Sequence, residues 1–319
     1  MRFRLLPLCL ILAPLPLLRA DDPKPAGPTI VDGAGKEVAL KTWAITAGTR
    51  KLTWLAKDGA AAPEALAFRD VNSTLYVEGV MTLIPLDRLE SLTYDTTKQT
   101  VTAKVAGVEK PLEGSIRYKE INQIAIEADA DRGAAGVVAL KYRGGVLKGG
   151  IQAVRFPGAK AGPAPTGDKT FVTVADKGAT HTEAVYQLQA LYKQADGKEV
   201  LSPAVMFKKT FKIELAQIVS MKIHDDPKAK EVECDVTLKD GSEQTLTLLN
   251  TMPIDGKDAT LEGFLAAVPV GYKLYPVRCV SEIGKDEPKK EEPKKEAPKK
   301  EDPKKVAPKK DQPKKDDGN

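Results

Sequence analysis

The 319-residue chain reads as a mainly β protein: two small β-sandwich or β-barrel domains ahead of a disordered Lys/Pro-rich C-terminal tail. Three observations carry this reading. One apolar spacing recurs along the chain, short alternating runs are separated by Gly, Pro and Asp-Gly turn signals, and residues 285–319 hold almost nothing apolar.

The spacing is clearest in residues 84–94, where Ile84, Leu86, Leu89, Leu92 and Tyr94 are apolar. A step of two keeps side chains on one face of a strand. A step of three requires a turn, a bulge or a short helical twist, so the unit reads as strand, tight offset, strand. The pattern returns strictly at residues 116–126 and 213–223. A fourth copy at 146–156 carries Lys148 in its second position, and looser matches lie at 246–254 and 275–283. The starts fall about thirty residues apart, in the range of structural repeats. Such a repeat supports architecture, not activity.

The elements follow in order. Residues 29–31, 38–40 and 43–45 have strand character, with Asp32-Gly33-Ala34-Gly35 as the turn between the first two. Ala47-Gly48-Thr49 turns into a strand at 51–55, residues 60–63 form a small-residue loop, and 74–84 alternate into the first seam. Strands at 100–105, 115–126, 137–142 and 150–156 complete a first β domain at 29–157. Residues 158–167, with Gly158, Gly162, Pro163 and Pro165, read as the Pro/Gly linker to a second β domain at 168–284. There, 183–193 suit either a helix or a strand, and Asp196-Gly197 with the run beyond it favours a hairpin. Val232, Cys234, Val236 and Leu238 alternate and turn at Asp240-Gly241 into 245–249, a second hairpin. Leu261, Phe264, Leu265 and Val268 match a short amphipathic helix that Pro269 ends. Immunoglobulin-like sandwiches and SH3- or Sm-like barrels both fit; the offset seam leans towards a barrel by analogy.

The ends define destination. Residues 1–20 have the form of a signal peptide: Arg2 and Arg4, a mostly apolar stretch, then Leu18-Arg19-Ala20 before Asp21-Asp22. The apolar run is short and interrupted by Pro7, Pro14 and Pro16, unlike a membrane span. The expectation is export to the periplasm, cell surface or extracellular space, with no transmembrane segment in the mature chain. The tail, 285–319, repeats Pro-Lys-Lys and carries thirteen Lys against ten Asp or Glu. Its +3 and the leader's +3, taken from the formal +5, leave −1 for residues 20–284. A near-neutral body argues against a nucleic-acid surface. The tail's lysine pairs suit envelope polysaccharide or another anionic polymer, and a plain solvated spacer is the simpler use.

Little chemistry is encoded in motifs. There is no Gly-x-Ser-x-Gly elbow, His-Glu-x-x-His, phosphate loop or Cys-x-x-Cys pair. His224-Asp225-Asp226 reads as a polar strand end, and His181 as an exposed polar residue. Glu127, Asp129 and Asp131 alternate, but Arg132 and Val138 stand where an EF-hand needs Gly and Glu. Carboxylate pairs for glycoside chemistry are not singled out by spacing. Trp43 and Trp54 could stack on sugar rings if exposed; core aromatics are the bland reading. Asn72-Ser73-Thr74 fits the glycosylation pattern. Cys234 and Cys279 are a candidate disulfide in an exported chain, worth about 4 kcal/mol in the chain-entropy account, against two buried thiols. No catalytic, cofactor or metal residues are assigned.

The segments Leu18-Arg19-Ala20-Asp21-Asp22, Gly48-Thr49-Arg50-Lys51-Leu52, Pro63-Glu64-Ala65-Leu66 and residues 83–95 carry a resemblance. Over its first domain the chain resembles uncharacterised exported proteins of planctomycete-type bacteria. That resemblance implies export and transfers no site residues. The expectation is an exported, non-enzymatic structural or binding protein of the cell envelope or extracellular space, without cofactor. The alternatives are a carbohydrate-active enzyme using carboxylates and a polyanion binder acting through the tail.

Overall fold

The computed structural model describes residues 27–32, 35, 37–56, 60–68, 79–95, 97, 98, 100–115, 125–130, 137–140, 142, 143, 146, 147, 151–176, 179–208, 211–224 and 231–286. The chain is mainly β, in several antiparallel sheets. The first thirteen strands are β1 (Thr29–Asp32), β2 (Glu37–Ala47), β3 (Thr49–Lys51), β4 (Glu64–Phe68), β5 (Met81–Pro85), β6 (Leu89–Asp95), β7 (Thr100–Val105), β8 (Leu112–Ser115), β9 (Ala125–Ala130), β10 (Val137–Leu140), β11 (Tyr142–Arg143), β12 (Val146–Leu147) and β13 (Ile151–Arg155). Twelve follow: β14 (Lys169–Asp176), β15 (Ala179–Gln194), β16 (Glu199–Ser202), β17 (Ala204–Phe207), β18 (Phe211–Glu214), β19 (Ile218–His224), β20 (Val232–Leu238), β21 (Glu243–Leu248), β22 (Thr251–Ile254), β23 (Lys257–Val268), β24 (Gly271–Pro276) and β25 (Val280–Gly284).

The apolar spacing has a direct physical cause. In β5–β6, β18–β19 and β24–β25 the first step of three is a single 3-10 turn, at Leu86–Arg88, Leu215–Gln217 and Val277–Cys279. At three residues per turn, such a helix returns the side chain to the same side. Each turn ends alike: the N–H of Leu89, Ile218 or Val280 donates to the carbonyl three residues back. The second step of three is a β-bulge, where the register skips one residue: Leu89 to Ser91, Ile218 to Ser220 and Val280 to Glu282. Two copies share further bonds. Arg88 O and Gln217 O accept from Ala106 N and Lys239 N, and Glu90 O and Val219 O from Phe156 N and Lys285 N. Turn and bulge together bend the strand sharply while keeping one apolar face inward.

Bent strands close barrels. In the first ring β6 pairs β13, β13 pairs β1 and β1 pairs β2. β2 passes through Gly48, at φ +85°, into β3; β3 pairs β4, and β4 pairs β5, which the seam returns to β6. In the central ring β25 pairs β14, then β15, β23 and β24 follow, and the seam returns β24 to β25. Between β16 and β22 an inserted ring runs β17, β18, the seam, β19, β20 and β21, closing where Phe207 meets Leu248. Closure removes most free edges.

The rings are joined through the seams themselves. β24 of the central seam pairs β5 of the first, with Tyr272 opposite Leu83. β25 of the central seam pairs β19 of the inserted ring, with Ile283 opposite Met221. Strands from residues 49–85 and 169–284 therefore lie in one 15-stranded sheet, and the unit Met1–Glu287 contains every described residue. The expected divide at 158–167 is a strandless stretch, but pairing runs across it.

Three local expectations change. Residues 257–268 are strand, not an amphipathic helix. Phe264 and Leu265 point to two different apolar clusters, so both faces of β23 are covered and its continuous apolar run mimics a helix stripe. Residues 53–55 form a 3-10 turn instead of a strand. The loose spacing at 275–283 adopts the full seam geometry, whereas 246–254 breaks into β21 and β22 with no 3-10 turn. Residues 116–124 and 148–150 lie outside the described residues, and so do the leader and residues 287–319. Both Asp-Gly hairpins form as read, β15–β16 and β20–β21.

Candidate functional site

Four places bring polar groups together. The first is the joint between the first and central rings. Leu52, Ala65, Leu83, Leu191, Leu265 and Leu274 form its dry centre. Arg50, from β3, clamps the rim: its guanidinium bonds Glu199 at 2.6 Å and Glu262 at 2.7 Å. Thr53 donates to Glu199, and Lys193 lies 3.7 Å from Glu262. The Trp54 ring sits 6.0 Å from the Arg50 guanidinium and meets Tyr272 edge-on at 6.4 Å. Trp54 is thus a packing residue of this joint, the bland reading of that aromatic; the side chain of Trp43 lies outside what is described.

The second lies on the central ring. Glu183 accepts from Lys273 at 2.7 Å and from the Tyr275 hydroxyl at 2.8 Å. Burial, then the Glu183 charge and hydrogen bond, hold the Tyr275 phenol well above its ordinary pKa. It stays a donor and the group is a locked cross-strand brace.

The third is the outer face of the inserted ring. Rows Ser220–Thr237–Glu243 and Lys222–Asp235–Thr245 stand side by side on β19, β20 and β21. They line an open groove of about 470 Å³. Asp235 accepts from Thr245 at 2.8 Å and pairs with His224 at 2.7 Å. Those two hydrogen bonds, Thr245 first, lower the Asp235 pKa. His224 therefore ends in an exposed strand-end pair, as its position suggested; Asp225 and Asp226 lie outside the described residues.

The fourth is the joint between the central and inserted rings. It opens a cleft on each side. One, of about 420 Å³, lies between Ile223, Leu261 and Val277, with Arg278 at its rim. The other, of about 270 Å³, lies where β14, β15 and β25 meet the turn at Leu215–Gln217.

Cys234 and Cys279 are both buried in the core shared by these two rings, and no disulfide joins them. Burial, with a smaller push from the Asp235 charge, raises the Cys234 thiol to about 12, so it is no thiolate at neutral pH. His181 is half-buried on β15 opposite Val174. Glu127 and Asp129 fall on β9, Asp131 outside the described residues; no cluster of three His, Cys, Asp or Glu with metal-binding geometry occurs among the described residues.

Sequence reasoning missed Arg50, Glu183, Glu199 and Glu262. Their hydrogen-bond partners stand 90 to 212 positions away, so only the fold brings them together. No protein family, curated protein or solved structure matches the chain.

Proposed function

We propose that this is an exported, non-enzymatic structural or binding protein of the cell envelope or extracellular space. The three-ring body is its recognition element and the Lys-Pro tail an electrostatic attachment. The observation that carries the reading is the contrast within the body. Its half-buried charges, Arg50 with Glu199 and Glu262 and Lys273 with Glu183, are committed to one another, while the joint between the central and inserted rings keeps two open clefts. The leader-like first twenty residues and the resemblance to exported proteins support the destination.

Co-sedimentation with purified envelope and with an anionic polysaccharide tests this. Mature protein is compared with a version ending at Asp286 over a salt series. The cut is placed there because Lys285 is part of the body, bonding Val219 through its N–H and Thr170 through Nζ. The expected result has two components. One is lost with salt and with the tail. The other persists at high salt in the truncated body. Absence of both components overturns the proposal.

A further inference from the structure

We infer that the 270 Å³ cleft beside β15 is a receptor for a secondary amide, carried by a compact apolar group, on material from outside the body. This deepens the reading of the body as the recognition element and rests on it.

A gap in a β-ladder lies beneath the cleft. One edge of β15 carries two different partners: β14 along Ala179–Tyr186 and β16 along Ala190–Lys193. Between them, Gln187, Leu188 and Gln189 have no ladder partner on that edge among the described residues. Asp168 precedes β14 on one side of the gap. On the other stands Pro203, which lacks the N–H that could have extended β16's ladder. The opposite edge bulges here, with the register to β23 skipping from Tyr186 to Gln189.

Gln187 sits in the bulge at φ +50°, a left-handed conformation that costs a non-glycine residue about 1 kcal/mol or more. Gly167, at φ +101°, lies alongside, and a side chain there would touch Gln187 Cγ at 3.9 Å. Glycine at 187 would relieve the strain, yet the sequence puts an amide there and another at Gln189. Neither glutamine side chain bonds to another described residue.

The cleft lies over this gap. Its floor is apolar, from Leu188, Leu215 and Ile218. Its rim offers the Gln187 and Gln189 amides, with Lys285 Nζ held 3.0 Å from Thr170 Oγ1. A glutamine amide presents donors and an acceptor side by side, the complement of a secondary amide's C=O and N–H. The exposed ladder edge offers the same pair from the backbone. A cleft this size, with few convergent polar groups over an apolar floor, suits a small group rather than a polymer strand. Two sources carry such an amide: an N-acetylated amino sugar and a peptide.

The test uses the version ending at Asp286 and ligand-observed NMR with calorimetry. The probes are an N,N′-diacetylated hexosamine disaccharide, the same disaccharide without its acetyl groups, and N-acetyl-alanine methylamide. Binding of at least one amide probe is expected, at least tenfold tighter than the deacetylated sugar. Which amide probe binds identifies the source. Gln187→Gly should weaken binding at least fivefold while leaving the melting temperature unchanged or higher. Ala216→Trp, at an exposed position of the cleft wall, should abolish binding by filling the mouth. If no amide probe binds, or if binding survives Ala216→Trp, the inference is wrong. Envelope co-sedimentation of the Ala216→Trp body separates the two claims: retained high-salt binding would leave the body's role standing and discard this cleft.

Discussion

The body has two joints made from the same part, and they are finished differently. In each, one arm of the central seam pairs with an arm of a neighbouring ring's seam, over three residue pairs. The joint to the first ring is then sealed by its own apolar cluster and clamped by Arg50 between two glutamates. The joint to the inserted ring shares a continuous core but leaves a cleft on either side. Pairing alone thus brings rings together; what fills the angle beside the ladder decides whether the joint is sealed or left open.

The contrast is sharpest in two pairs of substitutions. Leu83 is fully buried in the sealed joint, and Leu83→Ala should cost about 3 kcal/mol by denaturant unfolding, because its cavity cannot drain. Leu188→Ala, half-buried in the floor of the open cleft, should cost less than about 1 kcal/mol, since little new void forms. Equal costs would break the comparison.

Glycines test the ladders next. A Cβ at Gly271 would stand 2.3 Å from Leu83 O, backbone that cannot swing aside. Gly271→Ala should lose about 2–3 kcal/mol. A Cβ at Gly284, in the other joint, would meet Asp286 O only at 3.4 Å, and Gly284→Ala should stay within about 0.5 kcal/mol of the native protein.

How much of this was readable beforehand follows from the same residues. The 2-3-3-2 spacing was visible because turn and bulge are local and leave a local periodicity. The same spacing could not reveal which seam pairs with which. Nothing in Tyr272, Lys273 and Leu274 names Met81, Thr82 and Leu83 as partners, almost two hundred positions away. For that reason two consecutive domains were the natural reading, and an insertion inside the central ring was invisible. β23 misled for a physical reason: wedged between two clusters, it lost the polar face that marks a strand. The ladder gap at Gln187 had no sequence signal, because nothing local distinguishes a bulged glutamine from its neighbours.

A smaller effect concerns the clamp. Arg50→Ala strips both Glu199 and Glu262 of their shared cation in a half-buried site and should cost about 1–2 kcal/mol. A double-mutant cycle with Glu262→Gln should show coupling, while Arg278→Ala at the open joint should change stability little.

The smallest effect is a control on the open groove. The Asp235 pKa is lowered, so its contribution is present above the unfolded carboxylate pKa and is lost as pH falls through the lower folded value. Thr245→Val removes the leading hydrogen bond. NMR titration should show the Asp235 pKa rising towards the ordinary range. The stability gap to the native protein should be present at neutral pH and vanish in strong acid.

Native-state hydrogen exchange of the version ending at Asp286 tests the central claim, that paired seams make one body of three rings. Amides at the β24–β5 and β25–β19 ladders, around Leu83 and Met221, are compared with amides inside the rings, around Leu92, Ala190 and Cys234. Protection at both joints equal to that of the ring interiors is the predicted result. Joint amides opening at a free energy well below the rings would mean that three barrels merely touch, and the account would fail.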